Sequence, residues 1–268
     1  MDENSPSVPR ALPPSSEAPS ASASSEPIAA STAGPWGFWA TVGWTLVIAV
    51  AVVFVHSVAT GVYMVRSSGG RADKLPDVEA ISSDGLALSL ATILSAPLAV
   101  GLSLFFAWLR KGIPVRDYLG LRWPRARTIV RWCVTLLVFM AVSDTVTVLL
   151  GKPIVPEVLK EIYRRAQIVP LLWMAILVVG PIAEEFLFRG FLLTGLHHSR
   201  LGATAAVLLT SAAWAAIHQQ YDLYGIGLIF LDGIILGAVR VKTGSTLLCI
   251  LLHALMNFIA TIEVVLSL

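Results

Sequence analysis

The sequence predicts an all-α, polytopic membrane protein with about seven transmembrane helices, of which the last four form a C-terminal core. Composition is the first indication, because 56% of the 268 residues are hydrophobic and only 13% are charged, whereas soluble domains are about one quarter charged. The second is a series of apolar runs close to 20 residues, the length at which a helix crosses a bilayer. The basic residues cluster beside these runs, as in cytoplasmic flanks, and do not indicate nucleic-acid binding.

Residues 1–35 differ from the rest of the chain. They are rich in Ser, Pro, Ala and Glu and contain almost no large apolar side chains, so they cannot bury enough surface to offset the entropy of ordering. The start is acidic, at Asp2 and Glu3, and the apolar stretch begins only near Trp36, unlike a signal peptide. We therefore predict a disordered cytoplasmic tail.

Two further segments complete the predicted organisation. Residues 36–168 hold three spanning helices, a basic loop at 111–127 that suits either a membrane interface or a plain cytoplasmic loop, and an amphipathic connector at 151–168. Residues 169–268 hold the four-helix core. The predicted spans lie near residues 36–65, 86–109, 129–150, 169–197, 201–219, 225–241 and 246–267.

Orientation follows from the Lys and Arg residues outside the spans, which are more frequent on the cytoplasmic side. The side of the tail holds Arg10, Arg110, Lys111, Arg116, Arg122, Arg125, Arg127, Arg200, Arg240 and Lys242. The opposite side holds the smaller set Arg66, Arg71, Lys74, Lys152, Lys160, Arg164 and Arg165. We therefore expect the N-terminus in the cytoplasm and the chain in a bacterial cytoplasmic membrane.

The fourth span carries three charges that are expensive in hydrocarbon. Glu185 and Arg189 are four residues apart, so they share a helix face and can pair. Glu184 is rotated about 100° from Glu185, which leaves it free to act as a general base. Pro181 cannot donate to the carbonyl of Leu177, so we expect a kink and a polar pocket just before the two acids.

Three polar residues in later spans are candidate partners of Glu184. His218 lies near the end of the fifth span, and His253 and Asn257 lie one turn apart on one face of the seventh. At the rise of an α-helix, Glu184 and Asn257 lie roughly 20 Å from their cytoplasmic turns, His253 roughly 15 Å and His218 roughly 28 Å. Helix tilt can absorb these differences, so the four side chains can converge.

These motifs resemble those of the CPBP family, which comprises the CAAX prenyl endopeptidases and the bacteriocin-processing or immunity proteins of the Abi type. The resemblance covers about residues 169–260. It is carried by Glu184-Glu185-x-x-x-Arg189, by an aromatic residue four positions before His218, and by His253-x-x-x-Asn257. The family usually has Phe where this chain has Trp214, which puts the shape of the pocket in question but not the catalysis.

The resemblance implies an intramembrane endopeptidase in which Glu184 and His218 activate water and His253 and Asn257 stabilise the oxyanion. Glu185 and Arg189 would support the site, and from the residues alone we expect their larger role to be that of a buried pair that fixes helix packing. The family is often labelled a metalloprotease, and Glu184, His218 and His253 could bind zinc with a water. We favour a mechanism without a metal or other cofactor.

The implied partners are the lipid bilayer and a peptide or protein substrate, membrane-embedded or lipidated. Two other functions remain open at this point. A non-enzymatic immunity protein of the Abi type could bind a toxin, and a proton-coupled transporter also places acids and histidines in spans. Transporters more often show internal repeats, and we see no convincing one. The sequence leaves Asp144 and Asp232 unexplained.

Overall fold

The computed structural model describes residues 34–71 and 77–268, and within these ranges the chain is helical and contains no strand. The predicted tail, residues 1–35, lies almost entirely outside the described residues. The helices are α1 Phe38–Ser67, α2 Val78–Ser82, α3 Gly85–Leu109, α4 Val115–Tyr118, α5 Ala126–Leu149, α6 Glu157–Arg164, α7 Val169–His197, α8 Gly202–Ala216, α9 Leu223–Thr243 and α10 Thr246–Ser267. The prediction of an all-α polytopic protein is confirmed.

The seven predicted spans correspond to α1, α3, α5, α7, α8, α9 and α10. Six of these are long and apolar enough to cross a membrane, and α8, with 15 residues, is shorter than the predicted span at 201–219. The difference arises at Ile217–Tyr221, where the chain leaves the helix and forms a turn that carries His218. At 1.5 Å per residue, α8 is about 22 Å long and falls short of a bilayer core.

Helix α7 is central to the bundle, because α1, α3, α8 and α10 all pack against it. Its two halves differ in burial: Trp173, Met174 and Val178 in the first half are partly exposed, whereas every residue from Leu187 to Leu196 is buried. The loop between α3 and α5 covers this second half, with Tyr118 stacked on Phe191. Arg189, in this second half, is therefore surrounded by protein.

Two π-helical segments interrupt α7, at Met174–Val179 and Phe186–Leu192, and they flank the α-helical turn Gly180–Glu185. In a π-turn each N–H bonds to the carbonyl five residues back, instead of four as in an α-helix. Where the helix returns to α geometry, one carbonyl is therefore skipped and receives no backbone N–H. The N–H of Gly180 bonds to Ala175, and Pro181 has no N–H. The carbonyl of Ile176, one residue before the predicted Leu177, therefore lacks a backbone donor.

The loops cluster at two ends of the bundle. At the first, which we call the basic end, Ser245 Oγ donates to the Arg122 carbonyl at 2.6 Å and Thr246 Oγ1 donates to the Leu119 carbonyl at 2.6 Å. The basic end comprises residues 34–37, 110–125, 198–201 and 244–245. At the opposite end, Lys152 pairs with Asp222 at 3.3 Å, and this end comprises residues 68–84, 150–168 and 217–222 where described.

The predicted amphipathic connector contains α6. Ile162 and Tyr163 are buried and pack against Leu172 of α7 and Val264 of α10, and Tyr163 donates to Thr261 Oγ1 at 3.0 Å. The opposite face of α6 pairs its own charges, with Arg165 Nε on Glu161 at 2.5 Å. This division of apolar and charged faces is the predicted amphipathic pattern.

Close packing of α8 on α9 depends on two glycines. A Cβ added at Gly233 would lie 2.8 Å from Ser211 Cβ, and one added at Gly237 would lie 2.9 Å from Val207 Cγ1. Both distances are too short for undisturbed packing. Small residues at this spacing let two helices approach closely.

We expect Gly233→Ala to lower the thermal unfolding midpoint of the detergent-purified protein by several degrees, because Ser211 must move. Gly227→Ala in the same helix is the matched control, since nothing lies within 4 Å of its Cβ position and Ala favours a helix over Gly by about 1 kcal/mol. Equal midpoints for both variants would contradict this account of the α8–α9 contact.

Candidate active site

Glu185, Arg189 and His253 form a buried network. Arg189 Nη1 donates to Glu185 Oε1 at 2.7 Å, and His253 Nδ1 lies 3.0 Å from the same oxygen. The Glu185 and Arg189 side chains are 0% and 1% exposed, and that of His253 is 5% exposed. The predicted i, i+4 pair is present, and the structure adds His253 to it.

Arg189 is held on a second side by Trp214 of α8. Its guanidinium carbon lies 4.5 Å from the centre of the indole ring, within the range of a cation–π contact. Its Nη2 also lies 3.5 Å from the Gly233 carbonyl of α9. One cation therefore contacts a carboxylate of its own helix and groups of two neighbouring helices.

Glu184 has a different environment from Glu185. Its side chain is half-buried and contacts neither Arg189 nor His253 by a hydrogen bond within the described part of the chain. Instead Oε2 accepts the indole N–H of Trp214 at 2.5 Å. The adjacent carboxylates are thus separated: Glu185 is ion-paired in the core, and Glu184 is held by a neutral donor.

His218 contacts the same tryptophan that binds Glu184. His218 Nδ1 lies 2.9 Å from the Trp214 carbonyl, and because a carbonyl only accepts, Nδ1 must carry the proton. In the neutral ring Nε2 is then left with a lone pair. The Trp214 ring makes edge-on contacts with both histidines, with centroids 5.2 Å from His218 and 5.2 Å from His253.

Tyr221, in the turn after α8, also belongs to this region. Its ring centroid is 6.3 Å from that of His218. Burial and the negative charge of Glu184 raise the pKa of Tyr221 to about 12, so its hydroxyl remains a hydrogen-bond donor at neutral pH. The sequence did not single out Tyr221, because its proximity to Glu184 depends on where α8 ends.

Asn257 lies on α10 one turn beyond His253 and contacts the backbone of α7. Its Nδ2 donates to the Ile176 carbonyl at 2.7 Å, which is the carbonyl that the π-turn and Pro181 leave without a backbone donor. One amide proton of Asn257 is therefore used to secure the turn before Glu184. The second amide proton remains for another acceptor.

Arg240 does at the second π-turn what Asn257 does at the first, and this role could not be inferred from the sequence. The N–H of Leu193 bonds to the Phe188 carbonyl, five residues back, so the Arg189 carbonyl receives no backbone donor there. Arg240 Nε donates to that carbonyl at 3.1 Å. Arg240 Nη2 also donates to Thr194 Oγ1 at 2.9 Å. From the sequence Arg240 was predicted to be a loop charge, whereas the structure places it against α7.

Asp232 of α9 lies within electrostatic range of His253 and Arg189, so it adds a second acid near the buried network. Asp144 of α5 interacts electrostatically with Asp232 and with Glu263. Asp232 is therefore close enough to the buried network to act on its charges.

The predicted zinc ligands do not form a metal site as placed. The described residues contain no group of three His, Cys, Asp or Glu side chains arranged to hold an ion. Glu184 Oε2 is bound to Trp214, and His253 Nδ1 faces Glu185. Zinc at Glu184, His218 and His253 stays a prediction, and we route no chemical step through a metal.

We expect Arg189→Met to destabilise the protein by about 3–5 kcal/mol, because it removes the guanidinium that neutralises Glu185 in the core. Unfolding of the purified protein in detergent measures this loss. Arg200→Met, which removes an exposed arginine just after α7, is the control and should have little effect. Adding Glu185→Gln to Arg189→Met should restore part of the stability. Equal stability of Arg189→Met and Arg200→Met would contradict the pairing.

The comparisons with known proteins agree with the motifs. Residues 166–259 match the model of the family described as type II CAAX prenyl endopeptidase Rce1-like. An uncharacterized 24.3 kDa protein of Escherichia coli is 37% identical over 83 residues, which cover 30% of this chain and 38% of that protein. No solved structure matches the chain. Over residues 166–259 the chain is thus similar to the Rce1-like CAAX prenyl endopeptidases, and the predicted CPBP resemblance is confirmed.

Proposed function

We propose that the protein is an intramembrane endopeptidase that hydrolyses a peptide bond of a membrane-associated peptide or protein. The observation that carries the proposal is the separation of the adjacent acids, in which Glu185 is neutralised by Arg189 and Glu184 is bound by Trp214, a residue that also contacts His218. The family match over residues 166–259 supports the same class of reaction. A lipidated substrate, including a prenylated CAAX protein, is within the proposed range.

In the proposed first step, Glu184 removes a proton from a water molecule as the water oxygen bonds to the peptide carbonyl carbon. A carboxylate held in a fixed direction suits this role as general base. His218 Nδ1 is used by the Trp214 carbonyl. The lone pair on Nε2 can therefore hold or orient the same water. Trp214 fixes both groups, through its indole N–H and its backbone carbonyl.

The carbonyl oxygen gains negative charge in this step and requires a donor. We assign that role to His253, whose Nδ1 faces Glu185 and whose Nε2 is directed elsewhere. The contact with Glu185 fixes the direction of the ring, so that Nε2 faces away from that carboxylate. When the carbon–nitrogen bond breaks, the proton held by Glu184 passes to the leaving nitrogen, which gives an amine and a carboxylic acid.

Asn257 takes part in two ways in this proposal. Its contact with Ile176 positions the turn that carries Glu184, and its remaining amide proton is available to the oxyanion. Arg240 positions the other side of the same helix through the Arg189 carbonyl. Neither residue needs to exchange a proton with the substrate.

We expect Glu184→Gln to lower the rate of cleavage by about 10²–10⁴-fold, the usual contribution of a general base. Membrane proteomes of cells that express the wild type or the variant give the measurement, in which a precursor accumulates only with Glu184→Gln. Glu157→Gln, on the exposed face of α6, is the control. If Glu184→Gln changes neither the cellular phenotype nor the level of any precursor at equal protein abundance, the proposed protease function is wrong. A binding protein of the Abi type is then favoured.

Trp214→Phe tests the positioning of Glu184. Phe keeps an aromatic ring between Arg189, His218 and His253 but removes the N–H that Glu184 accepts. We expect kcat to fall by about 10-fold, equivalent to one charge-assisted hydrogen bond, with KM nearly unchanged and the unfolding midpoint within a few degrees. A larger KM with an unaltered kcat would show instead that Trp214 shapes the substrate pocket.

A further inference from the structure

A groove on the outer surface of the bundle, between α1 and α3, takes no part in the proposed chemistry. Its volume is about 400 Å³, within the range of sites that hold a small ligand. Val58 and Val62 of α1 and Leu94 of α3 are 48%, 52% and 56% exposed. Both helices are long and apolar enough to cross a membrane, so these side chains face lipid tails. The apolar lining consists of Val55, Val58, Ala59, Val62, Leu90 and Leu94.

The groove has a polar end. Tyr63 and Arg66 also line it, and Arg66 lies in the last turn of α1, which ends at Ser67. Arg66 comes eleven positions after Val55, a distance of roughly 16 Å along a helix. The hydrocarbon of one leaflet is about 15 Å thick, half of a bilayer core of about 30 Å. The apolar stripe on α1 therefore has the length of one leaflet and ends at a cation.

Arg66 is the polar side chain that remains available at this end. Tyr63 donates to Asp84 Oδ2 at 2.8 Å and accepts from Gln167 Nε2 at 3.0 Å, and Asp84 Oδ1 caps the first turn of α3. The Arg66 side chain is exposed and makes no hydrogen bond or ion pair with any residue that the structure describes. A guanidinium can bind a phosphate group through two parallel N–H donors. The groove and Arg66 together match a molecule in which an apolar chain is joined to a phosphate.

We propose that this groove binds one phospholipid with an anionic headgroup. An acyl chain lies along the apolar stripe, and the phosphate contacts Arg66. An anionic headgroup is favoured because no acid in the described part of the chain pairs with Arg66. Basic pockets between membrane helices bind headgroups of this kind. The lipid site does not depend on the proposed protease function.

The bound lipid would hold α1 against the rest of the bundle. Toward the basic end, the ring of Trp44 on α1 stacks on Phe106 of α3 with centroids 4.3 Å apart. Toward the other end, the bond from Tyr63 to Asp84 joins the same two helices. The groove extends from beyond the first contact to the second. A chain that fills it adds apolar packing between α1 and α3 where the two helices leave space.

Native mass spectrometry of the detergent-purified protein, exchanged into micelles that contain phosphatidylglycerol, measures the fraction that retains one lipid. Val62→Trp places a large ring in the groove, and we expect it to abolish retention. Arg66→Gln removes the cation and should weaken retention by about tenfold, the equivalent of one charge-assisted hydrogen bond. Val53→Trp, at a position on α1 that is 63% exposed and outside the lining, and Arg200→Gln, at an exposed position after α7, are the matched controls. Both should retain lipid as the wild type does.

Thermal unfolding gives a second measurement for variants of lower starting stability. A ligand that binds the folded state raises its unfolding midpoint. Added phosphatidylglycerol should therefore raise the midpoints of the wild type and Val53→Trp but leave that of Val62→Trp unchanged. Each variant is compared with itself in lipid-free detergent.

Equal retention by the wild type and Val62→Trp, or equal loss in Val53→Trp and Val62→Trp, overturns the groove as the binding site. Retention of detergent alone by the wild type does the same. Retention that Arg66→Gln leaves unaltered, or that zwitterionic phosphatidylcholine matches, overturns the contact with an anionic headgroup. None of these results bears on cleavage, which Glu184→Gln tests separately.

Discussion

The ion pair between Glu185 and Arg189 is the constraint on which the rest of the core depends. Two charges at the centre of a membrane bundle are costly unless they are paired and surrounded by protein. Trp214 covers one side of the guanidinium, His253 shares the carboxylate, and α9 contributes the Gly233 carbonyl. The pair therefore draws α8, α9 and α10 around α7, and this arrangement places Trp214 and His253 against the acids.

The irregular backbone of α7 is the second requirement. Two π-turns flank the residues that carry the acids, and each leaves a carbonyl that the backbone does not satisfy. Such carbonyls are tolerated at membrane depth only when another group bonds to them. Asn257 and Arg240 supply those groups, at Ile176 and Arg189. The turn with Glu184 and Glu185 is thus held from both sides by neighbouring helices.

Much of this could be predicted from the sequence. Long apolar runs are a strong signal, and the predicted spans agree with the observed helices to within a few residues, apart from the short α8. The spacing of Glu185 and Arg189 also predicts their pairing, because residues four apart share a helix face. Motif order on successive spans was sufficient to indicate the family over residues 166–259.

Other features depend on information that periodicity does not contain. The π-turns shift the hydrogen-bond register of α7, so the bond from Asn257 to Ile176 could not be foreseen. The indole N–H that Glu184 accepts depends on the rotation of α8, as does the contact of Trp214 with both histidines. Arg240 illustrates the same limit, since a count of charges near span ends assigns it to a loop and cannot show the carbonyl that it satisfies.

The central claim is that adjacent carboxylates have separate tasks, Glu185 in structure and Glu184 in chemistry. The most direct measurement compares the thermal unfolding midpoints of Glu184→Gln and Glu185→Gln, purified in the same detergent as the wild type. We predict that Glu184→Gln unfolds within about two degrees of the wild type, whereas Glu185→Gln, which leaves Arg189 unneutralised in the core, unfolds many degrees lower. Equal losses in the two variants would contradict the division of tasks.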